Sequence, residues 1–229
     1  MSDACERILA SVRRSLLRAT LPDAEPVGAC RVPERGNAPA RGDDLAGPFT
    51  TALGALTGHV HRAATSAEAV ERVAAIFRAH QATTYISWDE DALGCPGVID
   101  GLRSHGLRRV AYDVPSGIEA RGRVMASLAA VPVGITGADA ALADSGAIVL
   151  VSGPGRGRLV SLLPPLHVAL VPVGRLRPGL DAVLAERLGL LDDGSNVVAI
   201  AGPSRTADIE MTLTHGVHGP KALHVVLIG

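Results

Sequence analysis

Five polar side chains follow directly after an apolar run near the end of the chain, in NVVAIAGPSRTADIEMT at residues 196–212. The run 197–201 has the composition of a buried strand. Gly202 and Pro203 end it, because glycine permits unusual backbone angles and proline has no amide proton to donate. We expect the polar groups beyond them to emerge at a sheet edge, where ligand sites form in α/β folds. These groups are Ser204, Arg205, Thr206, Asp208 and Glu210.

A glycine-rich loop, SGPGRGR at residues 152–158, follows another predicted strand. Gly153 and Gly155 let backbone N–H groups approach an anion closely, and Arg156 and Arg158 can add charge-assisted hydrogen bonds. The spacing is G-x-G-x-G, so the dinucleotide-binding fingerprint G-x-G-x-x-G is not met. We predict a phosphate or carboxylate ligand here; a tight turn with solvated arginines is the alternative.

A third stretch, GITGADAALADSG at residues 134–146, holds Thr136 and two carboxylates, Asp139 and Asp144, among small residues. The carboxylates either act as acid and base or cap backbone N–H groups at turns. Capping is the commoner role of aspartate beside glycine and serine.

The last polar loop is THGVHGPKALH at residues 214–224. We expect its glycines to shape a turn that presents His218 and Lys221 to an anionic ligand. A metal site built from its three histidines and the two nearby carboxylates is the alternative. No H-E-x-x-H or comparable ligand spacing occurs, so we predict no metal.

Composition disfavours several classes of function. The 229 residues carry a net charge of −1 and only 2% aromatic residues, so neither a basic field nor stacking platforms exist for nucleic acid. No apolar run approaches the roughly 18 residues of a membrane span. Cys5, Cys30 and Cys95 are few and widely separated, which predicts a cytoplasmic location and no iron–sulfur cluster held by this chain alone.

The elements that must position these loops divide the chain into three parts. Residues 1–20 are predicted to form an amphipathic helix, 21–60 an extended arm rich in proline and glycine, and 65–229 a regular domain. In that domain helices alternate with strands, several of them continuous apolar runs, as in sheets covered on both faces. We predict a Rossmann-like, mostly parallel α/β sheet. The main predicted strands are 83–88, 108–114, 147–151, 167–173, 196–201 and 222–228.

Three blocks in this order, GITGADAALADSGAIVL, GPGRGRLVSLLPPLHV and AGPSRTADIE…HGVHGPKALHVVLI, resemble the lactate-utilization (LUD) domain family. The resemblance implies a fold like that of the glucosamine-6-phosphate deaminase, ribose-5-phosphate isomerase and CoA-transferase superfamily. It also implies a role in a bacterial system that oxidises L-lactate to pyruvate, together with partner subunits that bear iron–sulfur clusters. We expect no cofactor in this chain. The catalytic candidates are Asp144, Asp208, Glu210 and His218. The ligand-binding candidates are Thr136, Asp139, Gly153, Gly155, Arg158, His167, Ser204, Arg205, Thr206 and Lys221.

The favoured hypothesis is a lactate-utilization subunit with a pocket for a small carboxylate or phosphate, in a chain that can also form homo-oligomers. One alternative is a free-standing enzyme acting on a phosphorylated sugar or CoA ester, with Glu210 as nucleophile. Another is a non-catalytic assembly subunit that docks through residues 1–60.

The anion pocket requires the turns at 153–158, 203–210 and 216–221 to form one electropositive hollow. Arg158→Ala and Arg205→Ala are then expected to weaken anion binding more than changes at Arg175 or Arg187. The effects predicted for Arg158→Ala and Arg205→Ala both depend on these three turns lying close together.

Overall fold

The computed structural model describes residues 9–11, 42–112, 115, 117–186, 194–207, 213–215 and 219–229. Backbone contacts divide the chain into two units, Met1–Asn37 and Ala38–Gly229. In the first unit residues 9–11 are helical, within the segment predicted as an amphipathic helix. The rest of that predicted helix, and the arm up to residue 41, lie outside the described residues.

The helix over residues 66–79 shows how the sequence starts a helix in the second unit. The helix over residues 66–79 starts with a side-chain cap, since Thr65 Oγ1 accepts a hydrogen bond from the Glu68 amide at 3.2 Å. The Glu68 carboxylate in turn accepts one from the Ala64 amide at 2.9 Å. The cap of this helix is therefore Thr65. The helices are α1 Ala46–Ala55, α2 Ser66–Ala79, α3 Val98–Ser104, α4 Ile118–Ala129, α5 Leu159–Leu162 and α6 Leu180–Glu186.

Two sheets and a hairpin contain the strands. In chain order the strands are β1 His59–Ala63, β2 Thr84–Ser87, β3 Arg108–Arg109, β4 Val133–Thr136, β5 Ala140–Leu142, β6 Ala147–Ser152, β7 Leu166–Pro172, β8 Leu176–Arg177, β9 Asn196–Ile200, β10 Arg205–Ala207, β11 Leu213–His215 and β12 Ala222–Ile228.

The central sheet has six strands in the order β1-β12-β7-β4-β2-β3, and every neighbouring pair is parallel. The carboxyl ends of its strands therefore meet at one edge. This arrangement confirms the predicted Rossmann-like, mostly parallel α/β class. Strand β3 has two residues, and residues 110–112 of the predicted strand 108–114 are irregular.

The second sheet, β8-β5-β6-β9, corrects the predicted strand assignment. Strand β6, which its apolar run predicts to lie in the mostly parallel sheet, pairs antiparallel with β9. Strand β6 is buried on both faces: Ile148 and Leu150 join the main core, whereas Val149 and Val151 pack in a second cluster with Val183 of α6. Burial on both faces produces the same continuous apolar run as a parallel strand, so the run alone could not distinguish the two sheets.

Residues 42–60, part of the predicted arm, are regular structure. Helix α1 buries Phe49 and Leu53 completely, and β1 begins at His59. Pro48 lies in the first turn of α1, where a missing amide proton is tolerated. The description as an extended arm is therefore wrong for 46–60. Among the described residues, no helix has both the length and the apolar character needed to cross a membrane.

Candidate functional site

A cavity of about 460 Å³ opens at the carboxyl edge of the central sheet. Three strands supply its wall: Asp89 follows β2, Asp139 follows β4 and Arg175 follows β7. Ligands of open α/β sheets bind at this edge. We call this space the carboxyl-edge cavity. Its lining residues are Trp88, Asp89, Asp91, Ala92, Asp139, Pro154, Gly155, Arg156 and Arg175.

Asp139 is held by the glycine-rich loop and by the strand that leads into it. One carboxylate oxygen accepts a hydrogen bond from the Val151 amide at 2.8 Å, and the other lies 3.2 Å from Arg156 Nη1. The Asp139 side chain is only 10% exposed. A carboxylate fixed at both oxygens presents a defined acceptor to any ligand that enters the cavity.

The glycines of the loop allow other groups to approach the backbone closely, and the groups that do so are side chains of this chain. Gly155 has φ +68°, and a Cβ there would lie 2.6 Å from Asp89 Oδ2. At Gly157 a Cβ would lie 2.8 Å from Tyr112. The Trp88 indole N–H donates to the Gly157 carbonyl at 3.1 Å. The loop is therefore fastened over the end of β2.

The arginines around the loop differ in their partners. The Arg109 guanidinium lies 3.1 Å from Asp89 Oδ1, and Arg156 pairs with Asp139. Arg175 donates to the Ala138 carbonyl, and within the described part of the chain no carboxylate pairs with it. Arg175 is therefore the cation of this cavity that is best placed to receive an anion.

A second cavity, of about 360 Å³, lies at the amino ends of β7 and β12. The described ends of the two C-terminal turns do meet beside it, since the Ser204 amide donates to the Pro220 carbonyl at 2.8 Å. We call it the His167 cavity. It is lined by Leu56, Ser161, Leu162, His167, Ala199, Ile200, Ala201, Gly202, Pro203, Ser204, Gly219, Pro220 and Leu223.

The described parts of the three predicted turns thus fall into two cavities at opposite edges of the central sheet. Gly155 lines the carboxyl-edge cavity, whereas Ser204 and Gly219 line the His167 cavity. The expected single hollow is not formed by these residues. The physical reason is the second sheet, because β6 and β9 run antiparallel and their following loops leave in opposite directions.

The remaining predicted residues are scattered. Thr136 and His167 are buried and bonded to each other in the core. Asp144 is exposed in the β5–β6 turn, at the other end of β5 from Asp139, so the structure separates the two predicted carboxylates. Arg158 and Lys221 are exposed and line neither cavity.

Other predicted residues are described only in part. Gly153 pairs with Arg156 in an isolated bridge that closes the glycine-rich loop. Arg205 and Thr206 lie in β10, paired with β11, and nothing is described of their side chains. Asp208, Glu210 and His218 lie outside the described residues.

No cluster of ligands in the described part of the chain supports the alternative of a metal site. The described residues contain no group of three or more histidines, cysteines or carboxylates placed to hold a metal ion. His224 instead stacks on His59, with ring centroids 4.6 Å apart, and shares a 3.0 Å hydrogen bond with His61. Burial, and then the neighbouring histidines, lower the pKa of His224 to about 3.

Asp89, Asp91 and Arg175 were missed as site residues. The sequence carries the signal, because WDED follows directly after the strand TTYIS and ligand sites of α/β sheets lie at the carboxyl ends of strands. Arg175 stands three residues after β7 for the same reason.

An α/β chain with an all-parallel central sheet and a polar cavity at its carboxyl edge defines a Rossmann-like domain. The chain belongs to the LUD domain family, whose match covers residues 47–228. It is 45% identical over 100 residues to lactate utilization protein C of Halalkalibacterium halodurans, a match that covers 42% of this chain and 44% of that relative. It is 48% identical over 101 residues to lactate utilization protein C of Exiguobacterium sp., with the same coverage of 42% and 44%.

The matched region thus spans less than half the length of these relatives. The fold is similar to that of a DUF162 family protein from Deinococcus radiodurans, whose crystal structure superposes with a TM-score of 0.56. That similarity covers 81% of this chain and 97% of the other, at 18% sequence identity.

Proposed function

We propose that this chain is a component of a bacterial L-lactate utilization system and binds a small carboxylate, lactate or pyruvate, in the carboxyl-edge cavity. Membership of the LUD domain family and relatives named lactate utilization protein C support the pathway. The geometry of the cavity supports the ligand class. We also propose the cytoplasmic location that the few, widely separated cysteines predict.

The observation that carries the ligand assignment is the guanidinium of Arg175, which lines the cavity and pairs with none of the described carboxylates. A guanidinium can hold a carboxylate through two parallel N–H···O bonds. Since Arg156 is already paired with Asp139, Arg175 is the primary anchor and Arg156 the secondary one.

The carboxylates of the cavity favour a hydroxy acid over a keto acid. Asp139 is fixed by Val151 and Arg156, and Asp89 and Asp91 line the same space. A carboxylate accepts a hydrogen bond from the 2-hydroxyl group of lactate, whereas the 2-oxo group of pyruvate offers only acceptors. Tighter binding of lactate than of pyruvate follows from this arrangement.

Oxidation of lactate to pyruvate removes two electrons and two protons. We propose that the electrons pass to partner subunits that bear iron–sulfur clusters, because Cys5, Cys30 and Cys95 are too few and too far apart in sequence to ligate a cluster alone. The same proposal assigns the acid or base of this step to this chain. Asp139 is the candidate, because it is the carboxylate of the cavity that is held best.

Isothermal titration with L-lactate, D-lactate, pyruvate and phosphate tests the proposal, with and without co-purified partner subunits. L-lactate is expected to saturate. Arg175→Ala should weaken its binding about tenfold to a hundredfold, because a charge-assisted hydrogen bond contributes roughly 1.5–3 kcal/mol. Arg121→Ala, an exposed arginine of α4, is the matched control and should leave affinity unchanged. No saturable binding under either condition, or equal losses in the two variants, would overturn the ligand assignment.

A further inference from the structure

The His167 cavity differs in chemistry from the carboxyl-edge cavity. Its described lining is mostly aliphatic, with Leu56, Leu162, Ile200 and Leu223 among its members, and it includes no lysine, arginine, aspartate or glutamate. An ion entering such a space would lose hydration without gaining a charged partner. The cavity of about 360 Å³ falls within the roughly 300–1,000 Å³ range of small-molecule sites.

His167 supplies a polar atom that lacks a partner. The residue is 1% exposed, and its Nε2 lies 2.8 Å from the hydroxyl of Thr136. Its Nδ1 is buried, and among the described residues it has no hydrogen-bond partner. Because Nε2 is occupied by Thr136, Nδ1 is the ring nitrogen left for a ligand.

An unsatisfied buried polar atom lowers the stability of a folded protein. Such atoms are rare in folded proteins, where buried polar groups almost always have a hydrogen-bond partner. Burial lowers the pKa of His167 to about 3, so the ring is neutral at physiological pH. A neutral imidazole hydrogen-bonds to a hydroxyl or carbonyl group without requiring a counter-charge.

We propose that the His167 cavity binds a neutral, largely apolar small molecule whose single hydroxyl or carbonyl group hydrogen-bonds to Nδ1 of His167. The hydroxyls of Ser161 and Ser204 line the same space and can bond to a second polar atom of the ligand. This site lies at the opposite edge of the central sheet from the proposed lactate site and takes a different class of ligand. It does not depend on the proposed function.

The test uses three probes of one shape: 1-indanol, 1-indanone and indane-1-carboxylate, titrated into the full chain and followed by ligand-observed NMR and calorimetry. At least one of the two neutral probes is expected to bind saturably. Indane-1-carboxylate should bind at least about tenfold more weakly, since its charge finds no partner. Equal or tighter binding of the carboxylate would overturn the proposal, as would the absence of saturable binding by both neutral probes at millimolar concentration.

Two alanine-to-tryptophan variants locate the binding. Ala201 lines the cavity yet is exposed, so Ala201→Trp should fill the entrance without disturbing the core and abolish binding of the neutral probe. Ala79→Trp, at an exposed position at the end of α2, is the matched control and should bind normally. Unchanged binding in Ala201→Trp would place the probe elsewhere and overturn the site.

A third variant isolates the imidazole. His167→Phe keeps a ring but removes Nδ1, so affinity for 1-indanol should fall about fivefold or more, whereas affinity for indane, a fourth probe without a polar group, is retained. Equal affinities before and after this change would remove His167 from the proposal. Arg175→Ala should leave all these titrations unchanged, and Ala201→Trp should leave lactate binding unchanged, so failure of either proposal can be recognised separately.

Discussion

The hydroxyl of Thr136 lies 2.8 Å from Nε2 of His167, inside the core of the central sheet. The two residues belong to neighbouring parallel strands, and His167 sits opposite Gly134 in the register. Gly134 has no side chain, and a Cβ there would lie 1.9 Å from the Val160 carbonyl. The absence of a side chain at Gly134 therefore lets the Val160 carbonyl of α5 approach β4, while the imidazole reaches Thr136 two residues further along that strand.

Thr136→Val should destabilise the protein by about 1–3 kcal/mol, because it keeps the side-chain shape and leaves both nitrogens of a buried imidazole without a protein partner. Urea unfolding gives the change in free energy. Thr83→Val, at an exposed position, is the control and should lie within about 0.5 kcal/mol of the unmodified chain. Similar results for the two variants would show that the Thr136–His167 bond adds no net stability.

Stability should fall as pH decreases below about 6.5. Burial lowers the pKa of His167 to about 3, and the pKa of His224 is lowered as far by burial and neighbouring histidines. The unfolded chain, with ordinary histidine pKa values near 6.5, therefore binds protons that the folded chain refuses. The free energy of unfolding rises with pH between these values and levels off above 6.5, with a slope up to about 1.4 kcal/mol per pH unit for each group.

Unfolding in urea at several pH values between 5 and 7.5 measures this slope above the range in which carboxylates titrate. His224→Gln removes one of the two groups and should give a shallower slope. A curve that is flat between pH 5 and 6.5 in the unmodified chain would contradict the neutral state of these histidines.

Arg175→Ala and Arg158→Ala should rank in opposite order to the expectation from sequence. Arg175 lines the carboxyl-edge cavity, whereas Arg158 is exposed and lines neither cavity. We expect Arg158→Ala to change the affinity for L-lactate less than about twofold and Arg175→Ala to reduce it about tenfold or more. If Arg158→Ala weakened binding more, the ligand would lie with the residues named from the sequence instead.

Gly155→Ala should destabilise the chain more than Gly97→Ala. Both glycines have positive φ, +68° and +75°, so both substitutions bring backbone strain of about 1–2 kcal/mol. A Cβ at Gly155 also meets Asp89 Oδ2 at 2.6 Å, whereas nothing lies within 4 Å of one at Gly97. The difference between their free energies of unfolding measures this crowding. It should shrink when Asp89→Ala is added to Gly155→Ala, and a difference of zero would show that Asp89 moves aside freely.

The central sheet was predictable because its strands are apolar runs bounded by turn residues. Strands β2, β7 and β12 fall where the sequence places them or close to it. Strand β1 escaped prediction, since HVHRA contains histidines and an arginine, and its pairing with β12 depends on a partner far away in the chain. Local patterns carry no information about such a partner.

The division into two sheets was not predictable from burial. Strands β6 and β7 are both nearly continuous runs of buried residues, yet β7 lies in the parallel sheet and β6 in the mixed one. This division determines which predicted residues lie at the same edge of the central sheet. Thr136 and Asp139 lie at or just after the end of β4, whereas Ser204 lines the His167 cavity at the opposite edge of the sheet from the one expected.

The position of β12 between β1 and β7 governs the order in which this molecule can be assembled. His59 pairs with His224, so β1 cannot join β7 and the strands beyond it in one sheet until β12, which is synthesised after all of them, has left the ribosome. Until then β1 and β7 each expose an unpaired edge, a template for joining the wrong chain. Biosynthesis should therefore be the stage at which this protein aggregates most readily and depends most on chaperones.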